Sequence, residues 1–178
     1  NVVLLGIISE TSEGMQGAIF QMLSHGIVSG ALFFAVGALY ERYTVRSLKY
    51  FGGLTYLYPL LSVIFLTFFL ANISFPLTSS FIGEFLIFMG FFKQSFWGTF
   101  FASTSMVLGA VYTLWTYNRI FFGNVRILSI SYFKDITKKE GALFGIFIFF
   151  LFLMGLCPNL FLDLFLVDVL NILEHAKR

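Results

Sequence analysis

The stretch NISFPLTSSFIGE, residues 72–84, sits in the middle of 39 residues (54–92) that contain no Lys or Arg and a single acid, Glu84. At 1.5 Å per residue a straight helix of that length would reach ~60 Å, about twice the hydrocarbon thickness of a bilayer, so the run cannot be one regular membrane helix. Pro76 removes a backbone donor and biases Phe75 away from helical backbone, which places a break inside this stretch. Two arrangements remain: a hairpin of two spans turning at Pro76, or one discontinuous span made of two half-helices.

The distribution of basic residues separates them, because membrane helices orient with Lys and Arg concentrated on one side. With one broken span, Arg42, Arg46, Lys49, Arg119, Arg126, Lys134, Lys138 and Lys139 share a side and Lys93, Lys177 and Arg178 take the other, eight against three. With a hairpin, Lys93, Lys177 and Arg178 join Arg42, Arg46 and Lys49, and the split is six against five. The broken span is favoured. Its second half, 81–92, is ~18 Å of helix and could not cross alone.

Outward from the break, apolar runs predict a partial span at 1–8 and spans at about 15–40, 96–122 and 141–160, with polar loops at 41–53 and 123–140 facing the cytoplasm or matrix. The tail, 161–178, intersperses Asp163, Asp168, Asn171, Glu174 and His175 among Leu, Phe, Val and Ile. That pattern reads as an amphipathic interfacial or partner-packed helix. The fold class expected is an all-α membrane protein, a single domain of transmembrane helices with one discontinuous member. Over 178 residues the chain is 58% hydrophobic and 11% charged, which excludes a soluble domain. It opens on Asn1 within an apolar run, and we expect it to be a portion of a longer protein. The lone Cys157 excludes an internal disulfide and reads as packing.

Glu84 is the first candidate for chemistry. A carboxyl in an apolar half-helix costs roughly 2.5–3.5 kcal/mol on insertion scales unless it is neutralised or hydrated, so its charge follows its surroundings and it can carry a proton. An interrupted helix beside it is tolerated where it is covered by protein or lines a wet cavity, and Ser80 stands one turn before it. The competing reading is a neutral acid making one structural hydrogen bond.

His25 is the second candidate. Gln21, His25 and Ser29 recur every four residues and make one polar stripe on an apolar helix, and an imidazole can pass a proton between its two nitrogens near neutral pH. The alternative is a neutral histidine tying helices together. Thr113 lies with other hydroxyls on the span at 96–122, and Arg119 near its end can snorkel to the interface or face inward. Metal constellations, phosphate loops, dinucleotide fingerprints and nucleophile triads are not evident, so the expectation is that this chain holds no metal and no cofactor of its own.

Several segments are then familiar together: Met22-Leu23-Ser24-His25-Gly26, Tyr40 to Arg42, Gly52 to Leu54, the run from Pro76 to Leu86, and Tyr117 to Gly123. In order and spacing they resemble the C-terminal portion of the NADH-ubiquinone oxidoreductase chain 4 family, antiporter-like membrane subunits of respiratory complex I. The resemblance implies the C-terminal half of an antiporter-like fold that moves protons while NADH, flavin, iron–sulfur clusters and quinone are held by partner subunits. It implies that Glu84 is the acid of a broken helix and His25 the histidine of a central polar axis, together a proton relay, with Gln21, Ser29, Ser80, Thr113 and Arg119 supporting. The partners implied are the upstream portion of the same subunit, other complex I membrane subunits and lipids, with no nucleic acid. The location implied is the mitochondrial inner membrane, or a bacterial plasma membrane. A monovalent cation/proton antiporter subunit and a purely structural scaffold are the competing functions.

Overall fold

The computed structural model describes residues 1–125 and 135–176. Among them the chain is all helical: α1 (Val2–Ile8), α2 (Ser12–Tyr43), the short α3 (Leu54–Leu57), α4 (Pro59–Asn72), α5 (Ser79–Gln94), α6 (Phe96–Phe121), α7 (Lys138–Leu156) and α8 (Asn159–Ala176). The basic residues Arg126, Lys134, Lys177 and Arg178, used above to weigh orientation, lie outside the described residues. Both α2 and α7 have the length and hydropathy of a membrane span.

Local chemistry sets the helix ends. Thr11 caps α2 by accepting from the Gly14 N–H at 3.1 Å, and so the helix starts ahead of the apolar run that begins at Met15. Pro59 occupies the first turn of α4, where its missing N–H costs nothing. The exposed donors of that turn, the N–H groups of Leu60 and Leu61, are taken by the Asp135 carboxylate at 2.7 and 3.2 Å. Thr137 and Glu140 form a reciprocal capping box that starts α7 at Lys138. Pro158 stops α7 at Leu156, short of the expected 160, by holding Cys157 at φ −122 and ψ 58 outside helical backbone. Cys157 is exposed at that junction, contrary to its reading as packing.

The course of the broken segment follows from the polar contacts at its two ends. Arg42, near the end of α2, pairs with Glu140 at 2.9 Å and donates to the Asp135 carbonyl at 2.8 Å, so the start of α4 lies at that end. Lys93, at the end of α5, pairs with Glu13 in the first turn of α2 at 2.6 Å. These acids and bases are separated along α2 by ~44 Å of helix. The two half-helices therefore run as one discontinuous path from one end of α2 to the other. Returning beside them, α6 ends where the Phe121 and Phe122 carbonyls accept from the Thr55 hydroxyl at 2.8 Å and the Gly53 N–H at 3.1 Å.

The two halves of the bundle pack differently. Toward Arg42, an aromatic core joins Phe65 and Phe68 of α4, Phe121 of α6 and Phe144 of α7 to Val28, Ala31 and Ala35 of α2. Toward Glu13, α2 and α5 approach almost backbone to backbone. A Cβ on Gly17 would lie 2.9 Å from the Gly83 carbonyl, and small residues are what permits such an approach between membrane helices. Much of α6 presents Phe101, Val107, Leu108 and Val111 outward, as a lipid-facing helix does.

Candidate functional site

The break occupies the residues between α4 and α5. After Asn72 the Ser74 N–H donates to the Ala71 carbonyl at 3.1 Å and the Phe75 N–H to the Leu70 carbonyl at 3.0 Å, closing the helix. Ser74 and Leu77 adopt φ of 60° and 78°, in the left-handed region that side chains disfavour. The Thr78 hydroxyl donates back to the Phe75 carbonyl at 2.7 Å, and α5 begins at Ser79. The end of α7 braces this turn, because a Cβ on Gly155 would overlap the Leu77 carbonyl.

What aligns α5 with α2 is Ser24. Its hydroxyl is fully buried and lies 2.7 Å from the Ser79 hydroxyl and 2.9 Å from that of Ser80. This three-hydroxyl lock joins the first turn of α5 to the middle of α2. One turn further along α5 is Glu84, and on α2 Gln21 and His25 flank Ser24. With Asn1, Val2, Val3 and Met22, these three side chains line one cavity of about 350 Å³. The Gln21 Oε1 is buried with no hydrogen-bond partner among the described residues. Buried polar atoms of this kind are normally satisfied by water, so the surroundings of Glu84 are suited to hydration. A carboxyl and an imidazole around such a space can exchange a proton through water, with the Gln21 amide as a hydrogen-bonding partner.

The other residues singled out from the sequence fall elsewhere. Ser80 is taken up by the lock with Ser24. Ser29 donates to the Gly26 carbonyl of its own helix at 3.5 Å and does not line the cavity with Gln21 and His25. Thr113 is buried in α6 with its hydroxyl unpartnered among the described residues. Arg119 sits over the Trp115 ring at 5.4 Å, at the far end of α6. Pro76 is exposed at the break.

Sequence reasoning passed over Ser24, whose partners are more than fifty residues away, and Arg42, read only as an orienting charge. Arg42 is 8% exposed and bridges both Glu140 oxygens, at 2.9 and 3.0 Å. At this polar rim, outside the apolar runs, the guanidinium holds the Glu140 carboxyl down to about 2. One sequence signal was available: Thr137 and Glu140 have the spacing of a capping box, which marks Glu140 as engaged at a helix start.

Comparison with known proteins gives consistent results. A family model described as NADH:quinone oxidoreductase/Mrp antiporter, transmembrane, matches residues 1–109. NADH-ubiquinone oxidoreductase chain 4 of Marchantia polymorpha is 46% identical over 177 residues, 99% of this chain and 36% of that protein. NADH-quinone oxidoreductase subunit M of Rhodobacter capsulatus is 39% identical over 173 residues, 97% of this chain and 34% of that protein. A chain of respiratory complex I from Thermus thermophilus with bound NADH superposes with a TM-score of 0.87 at 31% identity, covering 97% of this chain and 37% of that one. The chain thus spans about a third of the length of these relatives.

Proposed function

The chain belongs to the NADH:quinone oxidoreductase/Mrp antiporter transmembrane family, and on that premise we propose that it is part of a proton-translocating membrane-arm subunit of respiratory complex I. The observation that carries this reading is the cavity in which Glu84 of the broken segment meets Gln21 and His25 of α2. Glu84 takes up and releases a proton as water enters and leaves its surroundings, and His25 relays it. Moving one charge against 100 mV costs roughly 2.3 kcal/mol. Electron transfer from NADH to quinone in partner subunits, which hold the flavin and iron–sulfur clusters, supplies that energy. The partners are the rest of the same subunit, other complex I membrane subunits and lipids, in the mitochondrial inner membrane or a bacterial plasma membrane.

Glu84→Gln in the full subunit within the intact complex tests the reading. The complex is expected to assemble, as read on a native gel, while proton pumping per NADH oxidised falls, with Glu84→Asp retaining part of it. Normal pumping would reduce the chain to a scaffold. The family description also includes Mrp antiporters, and this favours one second reading, a monovalent cation/proton antiporter subunit. Sodium-dependent proton exchange that persists without quinone reduction would select it.

A further inference from the structure

A second cavity, of about 290 Å³, lies at the opposite end of the bundle from the Glu13–Lys93 pair, where α6 ends against the segment before α3. Gly52, Trp115, Asn118, Arg119, Gly123 and Asn124 are among the residues that line it. It shares no lining residue with the cavity of Glu84 and His25.

Arg119 is available for a ligand there. Among the described residues it makes no ion pair or side-chain hydrogen bond, and its guanidinium is steadied over the Trp115 ring at 5.4 Å. A basic residue in the last turn of a helix commonly serves that helix's own free carbonyls. At the end of α6 the Asn118 carbonyl accepts from the Phe122 N–H, that of Phe121 from the Thr55 hydroxyl and that of the capping Phe122 from the Gly53 N–H. Nearby acids are also occupied: Glu140 by Arg42, and Asp135 by the first turn of α4. A positive charge flanked by two asparagine amides, with no anion of the protein assigned to it, is a site for an anion.

The same face of α6 specifies which anion. Leu108, Val111, Trp115 and Arg119 recur at three- and four-residue spacing and form one line. Leu108 and Val111 are 67% and 62% exposed and Trp115 57%. From Arg119 to Leu108 the line covers ~16 Å, about half the thickness of a bilayer's hydrocarbon. Charge at the rim, an aromatic ring at the boundary and an apolar stripe reaching the midplane match the profile of a single amphiphile. We propose that this pocket and stripe bind one anionic phospholipid, its phosphate between Arg119, Asn118 and Asn124 and an acyl chain along Trp115, Val111 and Leu108.

The test uses the intact complex in nanodiscs containing phosphatidylglycerol or phosphatidylcholine with a photoactivatable acyl chain, and labelled peptides are mapped by mass spectrometry. Phosphatidylglycerol is expected to label residues 107–119, and phosphatidylcholine is not. Arg119→Gln is expected to cut the labelling by about fivefold, the worth of one basic residue at an anionic lipid surface, and Arg119→Lys to retain most of it. If Arg119→Gln complexes fail to assemble, Asn118→Leu and Asn124→Leu replace it, each with reduced labelling expected. The proposal is overturned if both lipids label equally, if these substitutions change nothing, or if another subunit covers the stripe and labelling is absent. Suppression by millimolar inorganic phosphate would assign the pocket to free phosphate and also overturn it.

Discussion

At the scale of single residues, two polar contacts hold the bundle, one beside Glu84 and one at the Arg42 rim. Ser24 links to both Ser79 and Ser80, so Ser24→Ala deprives two buried hydroxyls of their partner. The expected cost is about 1–3 kcal/mol, since an unsatisfied buried group bears its full desolvation penalty. It would be read as a lower thermal midpoint of the complex in detergent, with Ser24→Thr closer to wild type. Glu140 carries the second contact. Its carboxyl is held at about 2 in the folded protein, below its ordinary 4.5, by Arg42 first of all. A depressed acid contributes stability that is fully present above 4.5 and is lost as the pH falls toward 2. The acid-induced drop in thermal midpoint between pH 5 and pH 2.5 is therefore expected to be smaller in Glu140→Gln than in wild type, a difference that calorimetry can measure. Glu84 and His25 were legible in the sequence because an ionisable group in an apolar run is costly enough to demand a reason. Ser24 was not, because a serine on a membrane helix ordinarily bonds its own backbone, and nothing local distinguishes one that reaches across to another helix.

At the scale of elements, the discontinuity at Pro76 could be read directly, since the apolar run is too long for one straight helix and contains a residue that cannot donate. Pro158 likewise marks the end of α7. That these two interruptions meet could not be read, because contact between Gly155 and Leu77 depends on how α7 lies against the bundle rather than on either segment alone. The contact makes a prediction. Gly155→Ala places a methyl group on the Leu77 carbonyl, which has to move. Overpacking of this kind costs about 1–3 kcal/mol, and hydrogen exchange of the amides at 74–80 is expected to rise. Gly145→Ala, on the same helix with open space around it, is the control and should leave exchange unchanged.

At the scale of the whole molecule, the bias of Lys and Arg favoured one crossing of the broken segment over a hairpin, and the Glu13–Lys93 and Arg42–Glu140 pairs lie at opposite ends of α2. Single cysteines at Lys49 and Lys93, placed in a Cys157→Ser background, are expected to react with an impermeant maleimide from opposite faces of sealed vesicles. Reaction from the same face would restore the hairpin. The helical architecture was accessible to composition and charge, whereas the shared cavity of Gln21, His25 and Glu84 required the actual approach of α5 to α2.

The Glu13–Lys93 pair and the Asp135 carboxylate on the first turn of α4 act as tethers at the rims of a segment that is interrupted at mid-depth. With both tips fastened, rearrangement of the backbone is confined to the joint, as a bridge pinned at each bank can flex only at its centre. Glu84 stands beside that joint, so the backbone next to the acid can shift while the outer outline of the bundle stays still.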